Sequence, residues 1–284
     1  MNTWVIGARP RTLPAAVAPV VVATALAGSD ASLLPALLAL IVSLSLQVGV
    51  NYANDYSDGI RGTDKDRVGP TRITASGLAT PSAVKRAAFT AFGVGAVAGL
   101  GLAVMTSWWL IAVGLAAIFA AWGYTGGKNP YGYLGLGELF VFIFFGVVAT
   151  VGTFYVQTET ITAHALLASI PMGTFACALL AINNIRDRAL DAPAGKKTLA
   201  VRLGDRRARY FFAALIALGY LAAIAIASPW ILLTLLTAPI AISLVRGVLG
   251  TAQGRELIPY LAKTGQLQLL FAVIFSLSLV LSHG

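Results

Sequence analysis

Long apolar runs recur along almost the whole chain, and they limit its fold more than any other feature. A membrane-crossing helix needs about 20 mostly apolar residues. Nine stretches meet that need, near residues 12–29, 33–53, 83–105, 108–125, 134–156, 163–184, 208–227, 229–249 and 264–282. Of the 284 residues, 58% are hydrophobic and 11% charged, with a mean hydropathy of +0.82. A soluble bundle needs a solvated face on every helix, and too few polar residues exist to supply one. The expectation is an all-α, polytopic membrane bundle of about nine transmembrane helices. It forms a single domain over 1–284, with two polar loops, 56–82 and 185–207, capping a central cavity.

Charge placement supports that reading. The net charge is +9, which in a soluble chain invites nucleic acid as a partner. Here the basic residues sit in short loops and at one end of each apolar run, as the positive-inside rule requires. With a cytoplasmic N-terminus, all 20 Lys and Arg fall on the inner side, while the outer loops hold Asp30 and Glu159. The chain is therefore expected in the cell membrane, facing lipid, with no nucleic-acid partner and both long loops in the cytoplasm. Arg9 and Arg11 ahead of an apolar stretch ending in Ala25-Leu26-Ala27 imitate a signal peptide, but the stretch reads as the first span. The lone cysteine, Cys177, lies inside an apolar run and reads as a packing residue.

One arrangement occurs twice. Asn54-Asp55-Tyr56-Ser57-Asp58 closes the second run, with Asp64 and Asp66 beyond it. Asn183-Asn184-Ile185-Arg186-Asp187 closes the sixth, with Asp191 beyond. Asn54 and Asp58, Asn183 and Asp187, and Asp187 and Asp191 are each four residues apart, which on a helix puts each pair on one face. Like charges at that spacing repel, so a cation is the natural complement. Two such ends suggest two half-sites for hard divalent ions, hence two Mg2+ ions. They also suggest duplicated halves, roughly 12–160 and 161–284, in the same orientation.

Basic residues follow both acid sets: Arg61, Lys65, Arg67 and Arg72 after the first, Lys196, Lys197 and Arg202 after the second. Two clusters of acids and two of bases suit a diphosphate bridged to carboxylates by Mg2+, with Lys and Arg neutralising the remaining phosphate charge. Its organic tail would run between helices toward lipid, so an isoprenoid fits.

These residues resemble the two Asp-rich motifs of the UbiA superfamily of intramembrane prenyltransferases. The resemblance covers essentially the whole chain. The pattern Asn-x3-Asp-x3-Asp is met by Asn183, Asp187 and Asp191. The first copy departs from it, since its third acid arrives at Asp64 rather than at Gly62, which leaves Asp64 or Asp66 to complete that site. Residues 51–59, 129–138 and 197–204, with Arg9-Pro10-Arg11-Thr12, are most similar to the branch that prenylates 1,4-dihydroxy-2-naphthoate.

The resemblance implies transfer of a polyprenyl group from polyprenyl diphosphate to that acceptor, with loss of CO2 and diphosphate, on the route to menaquinone. Asp55, Asp58, Asp187 and Asp191 would be catalytic. Asn54, Asp58, Asp64, Asn183, Asp187 and Asp191 would face the metal. Tyr124, Tyr131, Tyr133 and Trp122 are candidates for supporting an allylic cation through their ring faces. Arg9, Arg11 or Lys128 would hold the acceptor carboxylate, and Asp55 or Glu138 a ring hydroxyl. Benzoate, haem and chlorophyll-type acceptors are the alternatives within the superfamily, and a transporter is the alternative outside it. A transporter, however, concentrates ionisable groups near the midplane, where this sequence holds almost none.

Overall fold

The computed structural model describes residues 2–63 and 69–283. Apolar runs without interior polar periodicity leave the backbone no partner but itself in lipid, and the answer is helix throughout. No strand occurs among the described residues. The helices are α1 (Thr3–Ala8), α2 (Pro14–Leu26), α3 (Leu33–Arg61), α4 (Pro81–Met105), α5 (Trp109–Gly123), α6 (Gly137–Val141), α7 (Ala149–Thr158), α8 (Ala163–Asp191), α9 (Leu199–Ile224), α10 (Ala238–Leu249) and α11 (Ile258–His283). A π-helical segment, Phe142–Val148, joins α6 to α7, so Gly137–Thr158 runs as one span.

Seven of the described helices are long and apolar enough to cross a membrane, or eight if the Thr3–Thr12 and Pro14–Leu26 pair, bent by 53°, is one span. The expected nine are not reached by this measure. The shortfall is α5, whose 15 residues extend about 22 Å at 1.5 Å per residue, short of a hydrocarbon core of about 30 Å.

The span α8 is the most enclosed. Ala165, Ala168, Met172, Phe175, Ala176 and Ala178 are buried on it, against α2, α9 and α11. Small residues permit this crowding. A Cβ on Gly146 would come within 2.6 Å of the Gly173 Cα, so the π segment and α8 touch backbone to backbone. A second core holds α3 against α4 through Tyr52, Ala53, Val84, Ala88 and Phe92. There a Cβ on Gly95 would lie 3.3 Å from the Ser45 Cβ, so glycine lets α4 approach α3 closely. Val97, Leu33 and Phe119 are each 74% exposed, which suits a lipid-facing surface.

The site is framed by α3, which packs on α5 on one side and α7 on the other. Between these elements lies a cavity of about 740 Å³. Its walls are apolar along the spans and polar where α3 and α8 end.

Candidate active site

Both Asn/Asp sets lie in the last turns of helices α3 and α8. A helix C-terminus carries partial negative charge, so carboxylates there are unfavourable unless a cation answers them. Asn54, Asp58, Asn183, Asp187 and Asp191 all line the one cavity. Lys196, from the turn after α8, reaches across: its Nζ lies 2.9 Å from Asp58 Oδ2 and 4.0 Å from Asp191 Oδ1. The Tyr133 hydroxyl donates to the other Asp58 oxygen at 2.5 Å, and the Lys196 ammonium stands 5.0 Å from the centre of the Tyr133 ring. Burial, then the Asp58 charge, holds the Tyr133 phenol well above its usual range, so it stays a neutral donor.

On α8 the Arg186 guanidinium folds onto its neighbour, with Nε and Nη2 donating to Asp187 at 2.8 and 2.7 Å. Both residues are buried, and the remaining terminal nitrogen of Arg186 has no hydrogen-bond partner among the described residues. Arg186 lines the cavity, so it offers an unused donor pair to an anion there. Sequence reasoning gave Arg186 only the topological role it shares with the other Lys and Arg; its place inside the second motif, one residue before Asp187, was the available signal.

The amides are held as well. Asn54 Oδ1 accepts from Thr125 Oγ1 at 2.7 Å. Asn183 Nδ2 donates to the Leu179 carbonyl, which leaves its oxygen for the cavity. Among the described residues no three His, Cys, Asp or Glu side chains form a group that could hold a metal. Asp64, Lys65, Asp66 and Arg67, expected to complete the first motif and its basic set, lie outside the described residues. Even so, the donors present are carboxylate and amide oxygens around one polar cavity end, which is the chemistry Mg2+ prefers.

Other expected residues divide by position. Arg9, Arg11, Arg72, Tyr124 and Tyr131 line the cavity. The Arg9 backbone is left-handed (φ 52°), at the bend between α1 and α2. The loop around it hangs on α3, where Asn51 Nδ2 donates to the Ala8 carbonyl at 2.8 Å and to Thr12 Oγ1 at 3.0 Å, and Gln47 donates to Thr12. Asn51, Gln47 and Thr12 were missed because each is an ordinary polar residue until the fold brings them together.

Asp55, Arg61, Trp122, Lys128, Glu138, Lys197 and Arg202 stand off the cavity, unlike the expectation. Asp55 is fully buried, and its two oxygens accept from the backbone nitrogens of Ile73 and Thr74 at 3.0 and 2.8 Å. It therefore anchors the loop that carries Arg72. The Arg61 guanidinium donates to the carbonyls of Thr125 and Gly127 and lies over the Tyr133 ring. Trp122 packs on Tyr56 and Phe89. Lys128 and Lys197 are exposed, and Arg202 donates to the Lys197 carbonyl. Glu138 is buried behind the wall, where it accepts from Asn184 Nδ2 at 2.9 Å; Asn184, not Glu138, reaches the cavity.

An all-helical membrane bundle that gathers two helix-end acid sets and several guanidinium and ammonium groups around one half-apolar cavity is a class built for anionic substrates with greasy tails. The chain belongs to the UbiA prenyltransferase family, whose profile matches residues 16–257. It is 51% identical to a 1,4-dihydroxy-2-naphthoate octaprenyltransferase of Mycobacterium tuberculosis, over 95% of this chain and 94% of that one. It is 38% identical to the protein of the same name in Escherichia coli, over 99% and 96%. The fold is shared with a UbiA homologue from Archaeoglobus fulgidus solved with GPP and Mg2+, at a TM-score of 0.67 and 14% identity, covering 98% of this chain and 99% of that one.

Proposed function

We propose that this protein transfers a polyprenyl group from polyprenyl diphosphate to 1,4-dihydroxy-2-naphthoate, giving demethylmenaquinol in menaquinone biosynthesis. Relatives of that name are 31–51% identical over nearly the whole chain. The observation that carries the reading is the convergence of both acid motifs on Lys196 at the polar end of the cavity.

Asp58, Asp187 and Asp191, with Asn183 and Asn54, would hold Mg2+, two ions in our reading, whose charge draws electron density from the departing diphosphate. Lys196, Arg72 and Arg186 supply cationic donors where that charge develops. Tyr133 keeps Asp58 oriented as a neutral donor. Tyr124 and Tyr131 present ring faces to the allylic cation, and the apolar spans keep water from it. Arg9 and Arg11 hold the acceptor carboxylate. The ring carbon bearing that carboxylate forms the new C–C bond as diphosphate leaves with the C–O electron pair. The carboxylate then departs as CO2, and its electron pair restores the aromatic ring, so no base is needed at that carbon.

The whole chain acts as one domain, since α2 near the start packs on α11 at the end, and its paired motifs mark a duplication into halves near 12–160 and 161–284. The N-terminus and the polar end of the cavity face the cytoplasm, which the placement of Lys and Arg supports.

The test is turnover by the purified protein, with octaprenyl diphosphate and a panel of naphthoate and benzoate acceptors, with and without Mg2+. Naphthoate should be prenylated only with Mg2+, and Asp58→Asn should lower kcat by about 100-fold or more in a protein that still inserts. Substrate flux in proteoliposomes without diphosphate release would sink the proposal.

A further inference from the structure

Glu138 and Asn184 make a polar pair at the cavity wall that the proposed prenyl transfer does not use. Glu138 sits in the first turn of α6. A Cβ on the preceding Gly137 would lie 3.2 Å from Leu180 of α8 and 3.2 Å from the Tyr124 ring, so glycine there lets α6 press against α8. The lone thiol completes the contact, since Cys177 Sγ donates to the Glu138 carbonyl at 3.1 Å. The Glu138 side chain is thereby held behind Asn184, whose Nδ2 donates to Glu138 Oε1 at 2.9 Å. Glu138 is 6% exposed, and its second oxygen, Oε2, has no hydrogen-bond partner among the described residues.

An amide side chain has one donating end and one accepting end, whereas a carboxylate only accepts. Glu138 therefore takes the donating end of Asn184 and fixes which way the amide faces. Asn184 lines the cavity and Glu138 does not. Among the described residues the Oδ1 end of Asn184 has no hydrogen-bond partner. The end left to the cavity is thus a neutral acceptor of fixed orientation.

That polarity selects the part of the substrates that belongs beside it. Diphosphate and carboxylate oxygens accept hydrogen bonds, so Oδ1 repels both. A phenolic hydroxyl donates one, and a bond donated to Oδ1 polarises the amide and strengthens its bond to the buried Glu138. We propose that Asn184 Oδ1 accepts the hydrogen bond of one ring hydroxyl of the aromatic acceptor, and that Glu138 is the positioning residue that keeps Asn184 an acceptor there. This rests on the hydroxynaphthoate reading above and deepens it. With Arg9 and Arg11 on the carboxylate, the ring is held at two points, which sets the carbon presented to the allylic cation. An arene with no hydroxyl at that place leaves the amide oxygen unpaired and is rejected for that reason.

The test begins with binding alone, without donor or Mg2+ and under nitrogen, read by the fluorescence of 1,4-dihydroxy-2-naphthoate and of its two monomethyl ethers. In the wild type one ether should bind about tenfold or more weaker than the parent; equal binding of all three would overturn the proposal. In Asn184→Ala the ratio of ether to parent should fall to about one. Glu138→Gln should do the same with no change of size at the wall, because its amide can donate to Asn184 Oδ1 and turn Nδ2 to the cavity. A wild-type ratio in both variants would also overturn it. The rival role for an amide oxygen here is a metal ligand. In turnover, Asn184→Ala should raise the KM for the naphthoate about tenfold and leave the Mg2+ concentration for half-maximal rate unchanged; a higher Mg2+ requirement at an unchanged naphthoate KM would defeat the hydroxyl role. The expected binding ratios with no prenylated product from the wild type would uphold the hydroxyl site and defeat the enzymatic reading.

Discussion

Asp55 and Asp58 are three residues apart on one helix and have different work. Asp58 faces the cavity, where Lys196 and Tyr133 engage it. Asp55 points to the loop and closes two backbone hydrogen bonds. Each such bond to a charged group is worth about 1.5–3 kcal/mol. Asp55→Ala should therefore loosen residues 69–80 and, with them, the position of Arg72. Limited proteolysis should cut that stretch faster in Asp55→Ala than in Asp58→Ala, with Asp55→Asn intermediate. Equal cutting in all three would refute the anchoring role. The sequence puts both acids in one motif and reads both as catalytic, but helix phase alone does not say which neighbour fills the space beside each side chain.

At the scale of elements, the wall of the cavity depends on a contact that only glycine permits. The π segment Phe142–Val148 meets α8 at Gly146 and Gly173, and a Cβ on Gly173 would lie 2.7 Å from the Phe142 ring. π-helical turns often occur at functional sites, and this one turns Phe144, Phe145 and Val148 toward the cavity. Gly173→Val should push the span off α8, at an overpacking cost of about 1–3 kcal/mol. Thermal inactivation in detergent should shift downward, and Gly173→Ala should lie between. A wild-type inactivation temperature in Gly173→Val would show that the contact gives way at no cost. The apolar run over 134–156 was legible as a span. Its π segment was not, because no local sequence signal marks one, and its contact with α8 at Gly146 and Gly173 exists only in the packed bundle.

For the whole molecule, the arrangement of charge assigns a side to the cavity mouth. The prediction is an accessibility pattern. Lys128→Cys should react with a membrane-impermeant maleimide only in inside-out vesicles, and Thr160→Cys only in right-side-out vesicles. The native thiol, Cys177, is buried in α8 and should not interfere. The reverse pattern would place the site on the outer face. Of nine expected spans, α5 is the one too short by length. The apolar run over 108–125 reads as a span in one dimension; the folded helix covers only Trp109–Gly123, and where it stops is set by the turn that follows.

Membrane embedding, an all-helical backbone and two acid sets at helix ends followed from the sequence alone. Each is a local property: a segment's cost in lipid, or a spacing of four on one helix, needs no knowledge of distant residues. The tertiary structure decided which charges share the cavity. Asp58 and Lys196 are 138 residues apart, and the same fold directs Arg61, Lys128, Lys197 and Arg202 elsewhere. Direction depends on helix rotation and on the partner that answers each charge, and both are set only when the helices pack.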